Sequence, residues 1–461
     1  MTRPPMPQHR PDRVPFWKHL AMFREDILST QPERLYRAKM AEVKLPFLHS
    51  VMVNTPDLVR LVLQERPRDF PKSDRVREGL RLLLGSSVFV TNGALWERQR
   101  RMIDPAFEGG RLRDTFPAMW DAATASAARL RAGEVEIEAE MSHAAADVIF
   151  RTLFSIPIED ATAAEVYHTF RAHQRSAPIL NPAALIPLPG WIPRLFSRET
   201  RATAARIRAL ITRLTVDRMA AIEAGMAPDD LATKIMTTRD PVTGDMFDTE
   251  EMVDQVAIFF LAGHETSASA LAWALYLIAT HPDWQARLAQ EALALHAYVA
   301  QGTAPGFGIL RRFPLIRDTF REALRLYPPV PMLVREAARR EVFRRRKLGA
   351  GTQVIVSPWY MGRNEAIWAD PHDFRPERWQ EAGNKACARD GFLPFSAGPR
   401  VCPGAGFAMA EGVLILARLL LDWEFRGVAG KIPVPMAQLT VRARDGIWLE
   451  LVPRRSDSVS T

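Results

Sequence analysis

The chain has 461 residues, 47% apolar and 25% charged, which exceeds one ordinary core and calls for two lobes or one unusually large helical domain. Two cysteines exclude a disulfide framework and point to a reducing compartment. The formal charge of +8 is carried mostly by Arg and shows no basic stripe interleaved with aromatics, so nucleic acid is disfavoured as a partner.

The N-terminal stretch MTRPPMPQHRPDRVPFW lacks the apolar core of a signal peptide. Residues 1–34 are expected to form an extended, Pro-rich arm, 35–455 one large domain and 456–461 a tail. No run of eighteen uncharged apolar residues occurs, so no transmembrane segment is expected and the chain reads as soluble and cytoplasmic. LHSVMVN (48–54) reads as a strand. Arg75, Arg77 and Arg81 form a solvated helix face on the plain reading and a carboxylate anchor on the sharper one. WERQR places Trp96 and Arg100 at i, i+4 on one helix face, a spacing many surface helices share.

From about 110 to 330 nearly every long segment has helical period. APILNPAALIPLPGWIPRLF (177–196) breaks the run, because its prolines exclude a regular helix. A buried connector and a mobile apolar lid are equally good readings of it. The most informative helix follows in FDTEEMVDQVAIFFLAGHETSASALAWALYLIATHP. Asp248 with Glu251 makes a capping box, and the helix is expected to run to Thr280, roughly 45 Å. Its middle is apolar nearly all round and therefore buried, yet Gly263, His264, Glu265, Thr266 and Ser267 interrupt it. A Thr hydroxyl here can bond back to the Ala262 carbonyl and bend the helix. A ligand-binding notch and a satisfied polar helix contact both explain this pattern.

EALR places Glu322 and Arg325 at i, i+3, an ordinary ion-pair spacing. TQVIVSPW (352–359) reads as a second strand, and RARDGIWLEL (442–451) as a hairpin. The whole is mainly α with a small β region. Between these strands lies FSAGPRVCPG (395–404), which crowds Cys402 with Phe395, Gly398, Arg400 and Gly404. A buried structural thiol is the commonest fate of a lone cysteine. A nucleophile would want a nearby His, and zinc would want more Cys or His at ligand spacing. An axial haem ligand needs one thiolate, backbone N–H groups to temper it, and cations for two propionates, so it uses every residue of the loop.

FSAGPRVCPGAGFA resembles the ligand loop of the cytochrome P-450 family, Phe-x-x-Gly-x-Arg-x-Cys-x-Gly-x-x-x-Ala, a long and specific pattern. Further family marks follow in order over roughly 35–455. WERQR resembles the Trp-x-x-x-Arg helix, AGHETS (262–267) the oxygen-binding notch, and EALR the Glu-x-x-Arg pair. FRPERW (374–379) supplies the Arg378 that packs against that pair. The resemblance implies the P-450 fold, with a long central helix over haem b and Cys402 as the iron ligand. It implies haem contacts from Trp96, Arg100, Ala262, Gly263, Arg335, Phe395, Arg400 and Gly404, and a scaffold of Glu322, Arg325 and Arg378. Ala262 and Gly263 would leave room for O2.

By the same resemblance, Thr266 and Glu265 would deliver protons, and one atom of O2 would enter a C–H or C=C bond. The substrate pocket would hold Phe259, Val330, Met332, Leu333 and Val441, apolar side chains that suit a lipophilic fatty acid, terpenoid, steroid or aromatic. No flavin or ferredoxin domain follows residue 461, so electrons would come from a separate ferredoxin or flavodoxin-type donor with an NAD(P)H-dependent reductase. The rival readings are a peroxide-driven peroxygenase or isomerase, against which Glu265 and Thr266 argue, and a non-catalytic haem sensor.

Overall fold

The computed structural model describes residues 3–45, 48–176 and 196–454. All but the last residue of the Pro-rich stretch 177–196 lies outside them, as does the tail.

Among the described residues eleven helices reach ten residues or more: α1 (Phe16–Glu25), α2 (Asp74–Leu84), α3 (Gly93–Phe107), α4 (Phe116–Arg129), α5 (Ile137–Phe154), α6 (Ala161–Ser176), α7 (Arg198–Glu223), α8 (Thr249–Ala279), α9 (Pro282–Ala292), α10 (Pro314–Leu326) and α11 (Ala405–Asp422). The small β region comprises β1 (Met40–Leu45), β2 (Leu48–Val53), β3 (Gly133–Glu136), β4 (Leu333–Glu336), β5 (Glu341–Phe343), β6 (Arg346–Leu348), β7 (Gln353–Val356), β8 (Trp423–Gly427), β9 (Pro435–Ala437), β10 (Val441–Ala443) and β11 (Trp448–Pro453).

The architecture is organised by α8. Its start is fixed by the expected capping box: the Asp248 carboxylate accepts from the Glu251 N–H at 2.8 Å, and Glu251 accepts from the Asp248 N–H at 3.2 Å. The first half of the helix, Met252 to Leu261, joins an apolar core built with α2, α3, α5, α6 and α7. The second half, Ala270 to Ala279, joins another built with α4, α9, α10 and α11. Its polar notch therefore falls where two cores meet. Gly263 lets α5 approach there: a Cβ at that position would lie 2.2 Å from Ile149 Cδ1.

Both strands read from the sequence join one mixed sheet, in the order β1-β2-β7-β4, with β2 and β7 parallel. The cationic run Arg344–Lys347 is the exposed tip of the β5–β6 hairpin.

Two expectations are corrected. The N-terminal segment is not simply extended. It contains α1, and beyond it Ile27, Leu28 and Thr30 are buried; the Ile27 N–H donates to the Ala437 carbonyl at 2.7 Å, and apolar burial favours docking over solvation. Residues 442–451 are not one hairpin. β10 pairs with β9, while β11 pairs with β3 and β8, because the turn at Gly446 (φ 76°) passes the chain from one sheet to another.

Candidate functional site

A cavity of about 1000 Å³ opens between the cysteine loop and the notch of α8. The loop is built by local rules. The Cys402 N–H donates to the Phe395 carbonyl at 2.9 Å, closing the turn. Gly398 has φ +70°, and a Cβ there would stand 2.0 Å from the Leu63 carbonyl oxygen, a fixed backbone atom, so only glycine fits. Gly404 differs: its φ of −84° suits any residue, and a Cβ would sit 3.9 Å from Cys402 Sγ.

Phe395, Arg400, Cys402 and Gly404 all border the cavity. Cys402 borders the cavity and is accessible there. Burial pushes its thiol pKa up, while the Gly404 N–H, Arg100 and Lys72 pull it down. Cys387, the other cysteine, lies off this wall.

The cations Lys72, Arg100, Arg335 and Arg400 border the same cavity. Arg400 donates to Asn92 Oδ1 at 2.7 Å and lies over the Trp96 ring at 4.2 Å. Arg100, on the same face of α3 as Trp96, donates to the Val401 carbonyl at 2.8 Å and pairs with Asp104 at 2.8 Å. Arg335 is buried and, among the described residues, reaches the Val334 carbonyl at 3.2 Å. Lys72 Nζ donates to the Phe89 carbonyl and lies 3.9 Å from that ring's centroid. Among the described residues no carboxylate pairs with Lys72, Arg335 or Arg400.

The cost is visible in their pKa values. Burial brings Arg335 and Arg400 down to about 10. Lys72 falls well below its ordinary value through burial and then repulsion from the three arginines. Clustered cations that no carboxylate neutralises, partly or wholly withdrawn from water, require an anion. A haem, with two propionates and an iron that takes a thiolate, fits this donor set. Lys72 was not found from the sequence, because one Lys in DFPKSD belongs to no motif; only its bridge to Arg335 brings it to the site.

On the opposite wall stand Phe259, Ala262 and Thr266 of α8, with Val330, Met332 and Leu333. Thr266 Oγ1 donates to the Ala262 carbonyl at 2.5 Å, the back-bond expected for a bendable helix. Gly263 borders the cavity through its backbone, but the space of its missing side chain is taken by Ile149. This glycine therefore serves helix packing as well, and it lines the cavity beside Ala262.

Glu265 is not on the wall. It turns away, pairing with Arg442 at 2.6 Å and accepting from Gln174 Nε2. Burial raises its pKa and Arg442 opposes the rise. His264 is a core residue, bonded to Ser142 at 2.7 Å and kept neutral by burial at about 3.

Val441 is also off the wall. Its backbone is held by the Pro329 carbonyl at 2.8 Å and by Ser269 Oγ at 2.5 Å, which draws the side chain into the core; Gln438 and Leu439 border the cavity instead. Of the three N-terminal arginines only Arg75 borders the cavity. Arg77 pairs with Asp74 at 3.3 Å, and Arg81 is exposed.

Glu411 is the second residue that sequence reasoning missed. It borders the cavity from α11, accepts from Ser267 Oγ at 2.7 Å, and leaves Oε1 without a partner. Burial pushes its pKa up to about 8. A Glu in an apolar helix, nine residues beyond the cysteine, was the available signal.

Behind the loop, Glu322 gathers its partners at the core's edge. Its Oε1 accepts from Arg325 at 2.7 Å and Arg378 at 2.9 Å, and Oε2 accepts from Trp379 Nε1 at 3.1 Å. Burial would raise this carboxyl, but Arg325 and Arg378 hold it below its ordinary value.

A family profile described as Cytochrome P450 matches residues 8–446. The chain is 32% identical over 429 residues to "Cyclooctat-9-en-7-ol 5-monooxygenase" of Streptomyces melanosporofaciens, covering 91% of this chain and 90% of that protein. It is 30% identical to "Cyclooctatin synthase" of the same organism, covering 84% and 83%. A "Cytokinin hydroxylase" of Arabidopsis thaliana is 29% identical, covering 83% and 74%. Among the described residues no helix is long and apolar enough to cross a membrane.

Proposed function

Since the chain belongs to the cytochrome P450 family and is a haem b-dependent monooxygenase, we propose that it hydroxylates a neutral, cyclic, terpenoid-like lipophile. Electrons come from a separate ferredoxin or flavodoxin-type donor with its NAD(P)H-dependent reductase. The observation that carries the reading is Cys402 on the wall of a cavity that also holds Lys72, Arg335 and Arg400, three cations that no described carboxylate neutralises. The apolar lining supports a neutral substrate, as does the similarity to the Streptomyces cyclooctat-9-en-7-ol 5-monooxygenase. The site favours such a substrate over a fatty acid, because Arg77 and Arg81, two of the three arginines considered as carboxylate anchors, lie off the cavity wall.

Haem supplies, when bound, an iron centre that activates O2 for insertion of one oxygen atom. Cys402 would ligate that iron, and Lys72, Arg100, Arg335 and Arg400 would hold the propionates. Burial alone keeps the Cys402 thiol protonated, so its ionisation rests on the Gly404 N–H and on the nearby cations. Thr266 keeps a hydroxyl on the wall, turned back to Ala262; rotated inward, it donates a hydrogen bond into the cavity. Glu265 stands behind it and, through half-exposed Arg442, connects this part of α8 to solvent. Glu411, protonated at neutral pH, holds a further proton beside Ser267.

The haem-loaded protein, reduced under CO, is expected to show the red-shifted Soret band of thiolate ligation, and Cys402→His to lose it. Thr266→Ala is expected to consume NAD(P)H and release peroxide in place of product. Unchanged product per NAD(P)H in that variant removes Thr266 from proton delivery. A normal Soret position in the parent protein overturns the reading as a whole.

A further inference from the structure

The segment that links α2 to α3, residues 85–92, belongs to no helix or strand, and it puts Val88 and Phe89 on the cavity wall. Backbone groups in such a segment must be satisfied from elsewhere. Here much of that work falls to side chains of other elements.

Two of those side chains are neighbours on α8. The Asp254 carboxylate accepts from the Ser86 N–H at 2.6 Å, and Gln255 Oε1 accepts from the Val88 N–H at 2.9 Å. From α3, Gln99 Nε2 donates to the Ser86 carbonyl at 2.7 Å. Gly85 permits the approach to α8. Its φ of +50° with ψ of −125° suits glycine, and a Cβ there would overlap the Asp254 carboxylate. The far end of the segment is held from the cofactor side, where Lys72 donates to the Phe89 carbonyl and Arg400 donates to the Thr91 carbonyl at 3.1 Å. Those two cations also have an anion to serve. The pair on α8 has no such second duty.

The pair is costly where it sits. Gln255 is fully buried, and its Nε2 has no partner. Among the described residues its side chain makes one hydrogen bond, the one to Val88. A buried amide satisfied on one side only costs stability, so its use lies in that bond. Asp254 is buried too and meets a second partner. Arg208 of α7 donates to its Oδ1 at 2.7 Å, and to the Leu83 carbonyl at the end of α2 at 3.2 Å. One carboxylate thus fastens both the linking segment and α7 to α8. Neither Asp254 nor Gln255 borders the cavity, so each acts on substrate through the wall.

We propose that Gln255 and Asp254 are positioning residues that set the size limit of the substrate cavity. Gln255 fixes the Val88–Phe89 wall directly, and Asp254 holds the same wall to α7 through Arg208. The proposal rests on the haem monooxygenase reading for its spectroscopic handle.

The test titrates the Soret shift of the haem-loaded protein with imidazole, a small probe, and with 1-tritylimidazole, a bulky rigid one. Gln255→Leu fills the same space without an acceptor. It is expected to lower the Kd for the bulky probe several-fold relative to that for imidazole, because the wall yields. In a Phe89→Ala background the same substitution is expected to leave that ratio nearly unmoved, since the wall it acts through has been cut away. A general loss of stability would not give this pattern. An unchanged ratio in Gln255→Leu, or an equal effect with and without Phe89, overturns the proposal. Asp254→Asn keeps an acceptor for the Ser86 N–H and loses the charge that holds Arg208. It and Arg208→Gln are expected to shift the ratio in the same direction, and an unmoved ratio in both overturns the part assigned to Asp254. Hydrogen exchange on the unmodified protein reads the same bonds without any variant. The Ser86 and Val88 amides are expected to be protected although they lie in no helix or strand, and exchange at the unprotected rate overturns the proposal. A parent protein that shows no Soret shift with imidazole would instead refute the haem reading, and the exchange measurement would still decide this one.

Discussion

At Glu411 one carboxylate oxygen is bonded to Ser267 and the other has no partner. Burial pushes its pKa to about 8, against 4.5 ordinarily. Folding therefore favours the protonated form. Its contribution to stability is fully present below pH 4.5 and declines as pH rises, until it is lost above about 8. Glu411→Gln cannot ionise, and is expected to gain stability relative to the parent as pH goes from 5 to about 8.5, by on the order of a few kcal/mol. Parallel Tm-against-pH curves for the two proteins would show that Glu411 titrates normally. Cys402, Thr266 and Arg400 were legible in the sequence because each belongs to a short stretch with fixed internal spacing. Lys72 and Glu411 were not, because their significance lies in what faces them across the cavity, and no spacing along the chain encodes that. Glu265 was legible as a residue but not in its orientation: its neighbour Thr266 faces the cavity, and a 100° step around the helix sends Glu265 the other way, to Arg442.

Helix α8 shows how far an element can be read in advance. Its capping box, its length and its burial all follow from local pattern. What covers each face does not, and Gly263 is the clearest case. Its Cβ would meet the end of the Ile149 side chain, so a small addition can be absorbed by rotation and a branched one cannot. Gly263→Val is expected to destabilise the protein by about 1–3 kcal/mol through overpacking, and Ile149→Ala in the same chain to recover much of that loss. Thermal melts of the two single variants and the double variant measure the coupling. Simple additivity would mean that the two helices do not meet here. β10 and β11 show the limit of local reading: each has the alternation of a strand, but their partners, β9 and β3 with β8, are chosen by long-range packing.

Across the whole molecule, the excess of 61 Lys and Arg over 53 Asp and Glu suits an acidic electron donor. Electron delivery from a ferredoxin is then expected to slow as ionic strength rises past the physiological range, where the Debye length is about 8 Å. A rate independent of salt would remove charge from the encounter. The mainly α architecture and the helical run from 110 to 330 were readable from periodicity, whereas the docking of the N-terminal segment was not. Its prolines and polar residues describe an arm; the bonds that hold it come from Tyr327 and Ala437. Asp26 and Ala437 are 411 residues apart, and this separation sets an order of assembly. During synthesis the first thirty residues emerge long before anything exists to fasten them. The segment can therefore dock only after β9, which follows Cys402 along the chain, has been made, so this side of the molecule is fastened late.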